Sequence, residues 1–281
     1  MTTATAGSVR DGVRTPARSR AVLAALMRRG LRDHRRAPLI WGGSLGAFSG
    51  LIALLYPSIE DPLREAVEGY PEGLKEAFGI GELDTAAAYV HAEMFSLIVP
   101  LAVAFFAIRC SAKATVGAEE KNYLDLVLAT PLRRELLVAG TLAVTAVSAA
   151  LILLVVGALT WIGGVAAGTD LSLGSVAAGI ASVWPLALFA AALSLVGAGL
   201  LHRDATVTGS ASGVLVGMYV IDVVGKLADP VEPLRAVSAF KYYGAAMQDG
   251  LDATGFAVLT GAALLLAVVG AALFARRDVL H

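Results

Sequence analysis

Residues 136–167, LLVAGTLAVTAVSAALILLVVGALTWIGGVAA, carry no charged side chain over a length that exceeds what a helix needs to cross a bilayer. The run does not alternate between polar and apolar residues as a barrel strand would, and a helix satisfies its own backbone hydrogen bonds in lipid. Five further apolar runs lie along the chain at about 39–56, 88–108, 176–201, 207–224 and 255–275. The sequence therefore predicts an all-α integral membrane protein with six transmembrane helices.

The composition agrees with this fold class. Hydrophobic residues make up 57% of the 281 residues and charged residues only 16%, too few to cover a soluble domain of this size. Short spacings between the runs predict one transmembrane domain over residues 38–281, preceded by a cytosolic tail and elbow helix over residues 1–37. The net charge of −1 gives no indication of a nucleic-acid partner.

Basic residues indicate how the spans are oriented. Most of the lysine and arginine residues lie before the first span, between the second and third, and at the C-terminus, so both termini are predicted to be cytosolic. The opposite loops are acidic, and residues 57–87 hold eight acidic and two basic residues. Such a loop could attract cationic cargo or could simply be solvated.

The N-terminal segment 20–36 has a two-sided pattern. One side of a helical wheel carries Val22, Leu23, Leu26, Met27 and Leu31, and the other carries Arg28, Arg29, Arg32, Arg35 and Arg36. A basic amphipathic helix of this kind lies in the membrane interface with its arginines on anionic lipid headgroups. The alternative is a plain topology signal.

The connection between the second and third spans, GAEEKNYLDLVLATPLRRE at residues 117–135, has more structure than a simple linker needs. Acidic residues stand in the first turn of a helix-compatible segment, where the helix dipole favours them, and Pro131 ends it. A short helix that is polar on one side could dock in a groove of a soluble partner, or it could be a solvated interfacial loop. The chain shows no catalytic or metal-binding constellation, with one cysteine and four scattered histidines, so it is not expected to be an enzyme.

The same stretch resembles the loop after the second span in permease subunits of ABC-2 type transporters, which reads roughly GEEERGTLELLLARPVSR. Asn122 and Tyr123 replace the usual Gly-Thr of that loop, and residues 89–97, YVHAEMFSL, resemble a second stretch of permeases linked to antibiotic export. The resemblance implies a coupling helix over 117–131, worked by a separate cytosolic ATP-binding subunit that holds ATP and Mg, with no cofactor bound by this chain. The coupling residues it implies are Glu119, Glu120, Lys121, Asp125, Leu128, Pro131 and Arg134.

Two further sets of residues are candidates for function. His91, Glu93 and Asp222 stand near the outer ends of their spans and could line an outer gate or cargo path, with Glu93 facing Lys226 or Lys241, or could be ordinary end-of-span polar residues. Glycines at four-residue spacing let helices approach closely, either within one subunit or between two. In the resembling family the first and fifth spans form the subunit interface, which favours dimer contacts, in a homodimer or a heterodimer, at Gly42, Gly46, Gly50, Gly209, Gly213 and Gly217.

The expected function is therefore the membrane subunit of an ATP-driven exporter in a bacterial plasma membrane, for antibiotics or other amphipathic small molecules. Export of lipid or peptide is an alternative, and so is a non-transporting immunity or anchor protein. A membrane enzyme acting on lipid would need a carboxylate or histidine cluster at one face, which the sequence does not show. A secondary carrier would need charges nearer mid-bilayer.

Overall fold

A computed structural model describes residues 16–68, 85–120 and 134–276, and every element of regular structure in these ranges is helical. The α-helices are α1 (Pro16–Asp33), α2 (Gly43–Glu68), α3 (Ala86–Val90), α4 (Ile98–Ala114), α5 (Val116–Glu120), α6 (Arg134–Ala166), α7 (Leu173–Leu200), α8 (Asp204–Leu227), α9 (Ala239–Tyr243), α10 (Ala246–Asp249) and α11 (Ala253–Arg276). Single π-helical turns at Pro38–Gly42 and His91–Phe95 precede α2 and follow α3, and a 3-10 helix at Asp229–Val237 follows α8.

Five stretches of helix are long and apolar enough to cross a membrane. They are Pro38–Glu60, Leu136–Ala166, Leu173–Leu200, Asp204–Leu227 and Ala253–Arg276. The all-helical fold class and the multi-pass architecture are thus confirmed. There is a sixth crossing if one bent pair of helices counts as a single span. This pair is Ala86–Phe95 and Ile98–Ala114, and the two helices are bent by 40° against each other. Six spans with both termini in the cytosol stay a prediction.

The second predicted span is broken because of its local sequence. Pro100 lies in the first turn of α4, where its missing N–H costs little, but its ring would clash with the carbonyl of Ser96 in a continuous helix. The hydroxyl of Ser96 instead donates to the carbonyl of Ala92, and Leu97 leaves helical geometry with φ −141° and ψ −56°. The predicted span over 88–108 is thus bent near Leu97, a feature that the hydropathy of the run did not indicate.

Helix α7 lies at the centre of the bundle, packed against α4, α6 and α11. Within its apolar window 67% of the residues are buried, against 28% for α8 and 22% for α11. Small residues permit the contact with α11, since a Cβ at Gly270 would meet the backbone of Leu195 at 2.9 Å. The hydroxyl of Ser194 donates to the carbonyl of Ile108 at 3.1 Å and ties α7 to α4.

The glycines of the first span face α6 of the same chain. A Cβ at Gly42 would lie 2.9 Å from Val155, and one at Gly50 would lie 2.5 Å from the carbonyl oxygen of Leu159. Gly46 has equally close neighbours on α6, and beside these contacts Thr160 donates a hydrogen bond to Ser49 at 2.7 Å. The expectation that these three glycines make dimer contacts is therefore corrected, because their face is already covered within the subunit.

The N-terminal helix α1 packs on α6 through Gly30 and Val144. Just after it, Nε2 of His34 lies 3.3 Å from Sγ of Cys110 in α4, which also accepts a hydrogen bond from Thr145 in α6 at 3.3 Å. Burial lowers the pKa of His34 below its ordinary value, Lys113 lowers it further, and Asp33 opposes the shift. The predicted helix thus exists and is attached to the bundle, while its place in the membrane interface stays a prediction.

Candidate functional site

The first part of the predicted coupling helix forms the short helix α5, directly after α4. Val116 and Gly117 are buried, and Val116 belongs to a small apolar cluster with Ala112, Val207 and Phe274. This cluster fixes the start of the segment between α4, α8 and α11. Of the other predicted coupling residues, Lys121, Asp125, Leu128 and Pro131 lie outside the described residues, and Arg134 is the first residue of α6.

Glu120 connects α5 to the first residue of α8. Its Oε1 accepts a hydrogen bond from the backbone N–H of Asp204 at 3.1 Å. The first N–H groups of a helix have no partner within the helix, and a carboxylate there also interacts favourably with the helix dipole. Glu120 is exposed, so this bond lies at the surface, whereas Glu119 beside it is partly buried.

Asp204 adds a third helix to this connection. Its Oδ2 lies 3.7 Å from the guanidinium of Arg109 in α4, and its Oδ1 accepts from Thr208 one turn further into α8 at 3.4 Å. The side chain of Arg109 is 48% exposed, so the ion pair contributes at most about 1 kcal/mol. Its importance is geometric, because α4, α5 and α8 meet at Asp204. We name the set of Arg109, Glu120 and Asp204 the coupling junction.

At the other end of α8, Asp222 forms a buried ionic cluster. Its side chain is 3% exposed and lies 2.9 Å from Nζ of Lys226 and 3.0 Å from Nε of Arg235 in the 3-10 helix. The stem of Arg235 packs on Gly225, and Ser238 donates to the carbonyl of Met218 at 2.7 Å. These contacts hold the 3-10 helix on the end of α8. Lys226 therefore pairs with Asp222, whereas a placement of Glu93 opposite Lys226 or Lys241 stays a prediction.

The other two candidates for a gate lie apart from this cluster. His91 is 9% exposed and its Nδ1 has no hydrogen-bond partner in the described structure, whereas Glu93 is exposed. Within the described ranges, no hydrogen bond or ion pair joins His91, Glu93 and Asp222 to one another. A role for the three in one path stays a prediction.

A cavity of about 410 Å³ opens at one end of the bundle. It lies between the start of α3, the turn from α6 to α7 and the helix α10, at the end of the bundle opposite the coupling junction. Its walls are Thr85, Ala87, Ala88, Asp170, Ser175, Met247, Gln248 and Asp249.

The glycines of α8 lie in different surroundings from those of α2. A Cβ added at Gly209, Gly213 or Gly217 would meet no described atom within 4 Å. On the same helix Val216 and Val220 are about half exposed, at 48% and 50%. An apolar helix face with room for a close neighbour is thus available for lipid or for a second subunit, and the dimer role of these three glycines stays a prediction.

The sequence analysis did not identify three contact residues of these two sites: Arg109, Asp204 and Arg235. Asp204 carried a usable signal, since an acidic residue at the start of an apolar run is typical of a helix N-terminus. The two arginines carried no such signal, because Arg109 near the end of a span is first interpreted as a topology signal and Arg235 lies in a loop between spans.

The comparison with protein families gives one match of nearly full length. A family model described as the C-terminal domain of the multidrug efflux system permease Rv1217c matches residues 26–275. No curated protein matches the chain.

Proposed function

Because the chain belongs to the multidrug efflux permease family, we propose that it is the membrane-spanning subunit of an ABC-2 type exporter driven by a separate ATPase. The family and the five apolar helices make it a multi-pass membrane permease. The proposal adds an ATP-driven mechanism, a location in a bacterial plasma membrane and a class of cargo. Drug-like amphipathic molecules are the cargo that the family's name favours.

The coupling junction is the observation that supports this mechanism best. The segment of 117–131 that would contact an ATPase begins at α5, and α5 is joined to α8 through Glu120 and Asp204. A displacement of the segment would therefore reach the start of α8 directly and the end of α4 through the ion pair of Asp204 with Arg109. Neither movement would have to pass through a flexible linker, because α5 follows α4 after the single residue Thr115.

The proposed mechanism follows from the contacts at the two ends of α8 and from the low burial of the helix between them. ATP binding would draw two ATPase subunits together, and each would move the 117–131 segment that it holds. Helix α8 is only 28% buried over its apolar window, so it has fewer contacts to resist tilting than α7 does. At its far end the cluster of Asp222, Lys226 and Arg235 would carry the tilt into the 3-10 helix.

A second copy of the chain, or a related permease, would complete the transport path. The open face of Gly209, Gly213 and Gly217 is the surface that we assign to this contact, because small residues allow close approach of helices. The chain itself would bind neither ATP nor Mg, which belong to the ATPase partner.

Copurification tests the proposal. An ATP-binding subunit should copurify with a tagged copy of this chain from solubilised membranes. Reconstituted together in liposomes, the two should accumulate a dye such as ethidium in an ATP-dependent way, in the direction that corresponds to export. Resistance without any ATPase partner would favour an immunity or anchor protein, and transport of labelled lipid or peptide in place of dye would favour those cargo classes.

A further inference from the structure

Tyr243 of the short helix α9 reaches the break in the second predicted span. Its hydroxyl donates a hydrogen bond of 2.7 Å to the backbone carbonyl of Phe95, a residue 148 positions away. Both side chains are buried, and Phe95 and Met247 lie together against Gly179 of α7. In a continuous helix the carbonyl of Phe95 would accept from the N–H of Val99, four residues further on. A side chain from a distant segment thus bonds a backbone group at the bend.

The π-helical turn before the break has a second hydrogen-bond register within reach. The N–H of Ser96 donates to the carbonyl of His91 at 2.7 Å, five residues back. The hydroxyl of Ser96 donates to the carbonyl of Ala92, which is the acceptor that the N–H would have in an α-helix. A shift of the N–H by one carbonyl would therefore convert the π-turn into an α-turn. One residue of register corresponds to about 100° of rotation of α3 about its axis.

The helix that carries Tyr243 is fixed to the second half of α8. Ser238, directly before α9, donates to the carbonyl of Met218 at 2.7 Å. The ring of Phe240 stands edge-on to that of Tyr219, with 5.2 Å between the ring centroids. These contacts add to the ionic cluster at the end of α8. A movement of α8 would therefore displace Tyr243 relative to the broken span.

We propose that the hydrogen bond from Tyr243 to Phe95 keeps the π-helical turn at His91–Phe95 in its register, and that a tilt of α8 withdraws α9 and lets the register change. The resulting rotation of α3 would change the path at the end of the bundle opposite the coupling junction. The inference rests on the proposed function, because that function supplies the movement of α8. Tyr243 is thus a positioning residue that acts through the backbone of the second span.

Tyr243→Phe removes the hydrogen bond and keeps the ring. Nitroxide labels at Glu93→Cys and Phe105→Cys, two exposed positions on either side of the break, report the register by their distance in a Cys110→Ser background. The purified full chain is measured in lipid nanodiscs with no ATPase and no nucleotide. The chain with Tyr243 should give one main distance. Tyr243→Phe should raise the population of a second distance by about tenfold, the factor that the net strength of one hydrogen bond corresponds to.

Tyr242→Phe is the matched control. The hydroxyl of this neighbouring tyrosine donates to the carbonyl of Ala236 at 3.2 Å, so the variant loses a similar hydrogen bond that does not reach the second span. Its distance distribution should equal that of the chain with both tyrosines. An unchanged distribution in Tyr243→Phe, or the same change in Tyr242→Phe, would overturn the proposal.

Thermal unfolding identifies any variant that fails to fold. If Tyr243→Phe fails, Ser238→Ala decides, since it releases α9 from Met218 and should raise the population of the same second distance. An unchanged distribution in Ser238→Ala would then overturn the proposal. Because no ATPase is present, a negative result here leaves ATP-driven export standing, and a failure to copurify an ATPase leaves the measured distances unaffected.

Discussion

The Oε1 atom of Glu120 lies 3.1 Å from the backbone nitrogen of Asp204 and accepts its hydrogen bond. The two residues are 84 positions apart in sequence, and they join the end of α5 to the beginning of α8. The end of α5 is therefore in direct contact with the first residue of α8, a helix that is only 28% buried over its apolar window, at the place where the proposed cytosolic partner would act.

Glu120→Ala should leave the backbone N–H of Asp204 without its protein partner. Loss of such a helix cap costs about 1 kcal/mol, so α8 should fray at its first turn while the bundle stays folded. Hydrogen–deuterium exchange of peptides covering the start of α8 should rise.

Glu120→Gln is the control, because its amide oxygen still accepts the hydrogen bond and only the interaction of the charge with the helix dipole is lost. Exchange in this variant should stay close to that of the unaltered chain. An equal rise in both variants would show that charge, and not the hydrogen bond, joins α5 to α8.

Asp222→Asn should destabilise the chain by about 2 kcal/mol, the size expected for a buried hydrogen bond to a charged group. The carboxylate is 3% exposed and has two cationic partners, so the substitution leaves Lys226 and Arg235 facing a neutral amide in place of a negative charge. The melting temperature in detergent is the measurement. Glu93→Gln removes an exposed carboxylate and should leave the melting temperature unchanged; an equal loss in both variants would contradict the role of the cluster.

The two sets of glycines should respond in opposite ways. Gly50→Ala places a Cβ against the carbonyl of Leu159 and should cost about 1–3 kcal/mol by overpacking. A Cβ at Gly213 would meet no described atom within 4 Å, so Gly213→Leu should leave the fold intact, but it should shift a dimer towards monomers. Melting temperature and light scattering after size-exclusion chromatography separate the two effects. A normal dimer in Gly213→Leu would place the subunit contact elsewhere.

His34 should make stability depend on pH. Burial lowers its pKa in the folded chain, so the unfolded chain binds the proton more readily. Its contribution to stability is therefore present above the ordinary histidine pKa of about 6.5 and is lost as the pH falls below it. The melting temperature should fall between pH 8 and pH 5 by more in the unaltered chain than in His34→Gln. Identical pH dependence would mean that the ring is protonated without cost.

The sequence predicted long helices well and their partners poorly. The helix over 134–166 begins and ends within two residues of the predicted run, because nothing in an uncharged stretch stops a helix in lipid. The break at Ser96 and Leu97 was missed, since hydropathy does not register that a proline excludes the carbonyl four residues before it. Glycine spacing correctly predicted close packing at Gly42, but spacing alone does not identify which helix approaches.

For the candidate site, too, the sequence indicated individual residues but not their distant contacts. Glu120 was identified from a local motif, and its contact with Asp204 could not be, because a residue 84 positions away enters only through the packing of α5 beside α8. The sequence shows that Cys110 is the single cysteine, but its contact with His34 depends on where α1 packs. Local chemistry is thus readable from the sequence, whereas the pairing of elements needs the fold.

Coupled ATP hydrolysis tests the central claim most directly. The ATP-binding subunit that copurifies with the chain is reconstituted in liposomes with the unaltered chain or with the double variant Glu119→Ala and Glu120→Ala, at equal protein ratio and with equal melting temperature confirmed. The account predicts that dye stimulates hydrolysis with the unaltered chain and that the double variant loses this stimulation and dye transport while remaining folded. Stimulation and transport that persist undiminished in the double variant would contradict it.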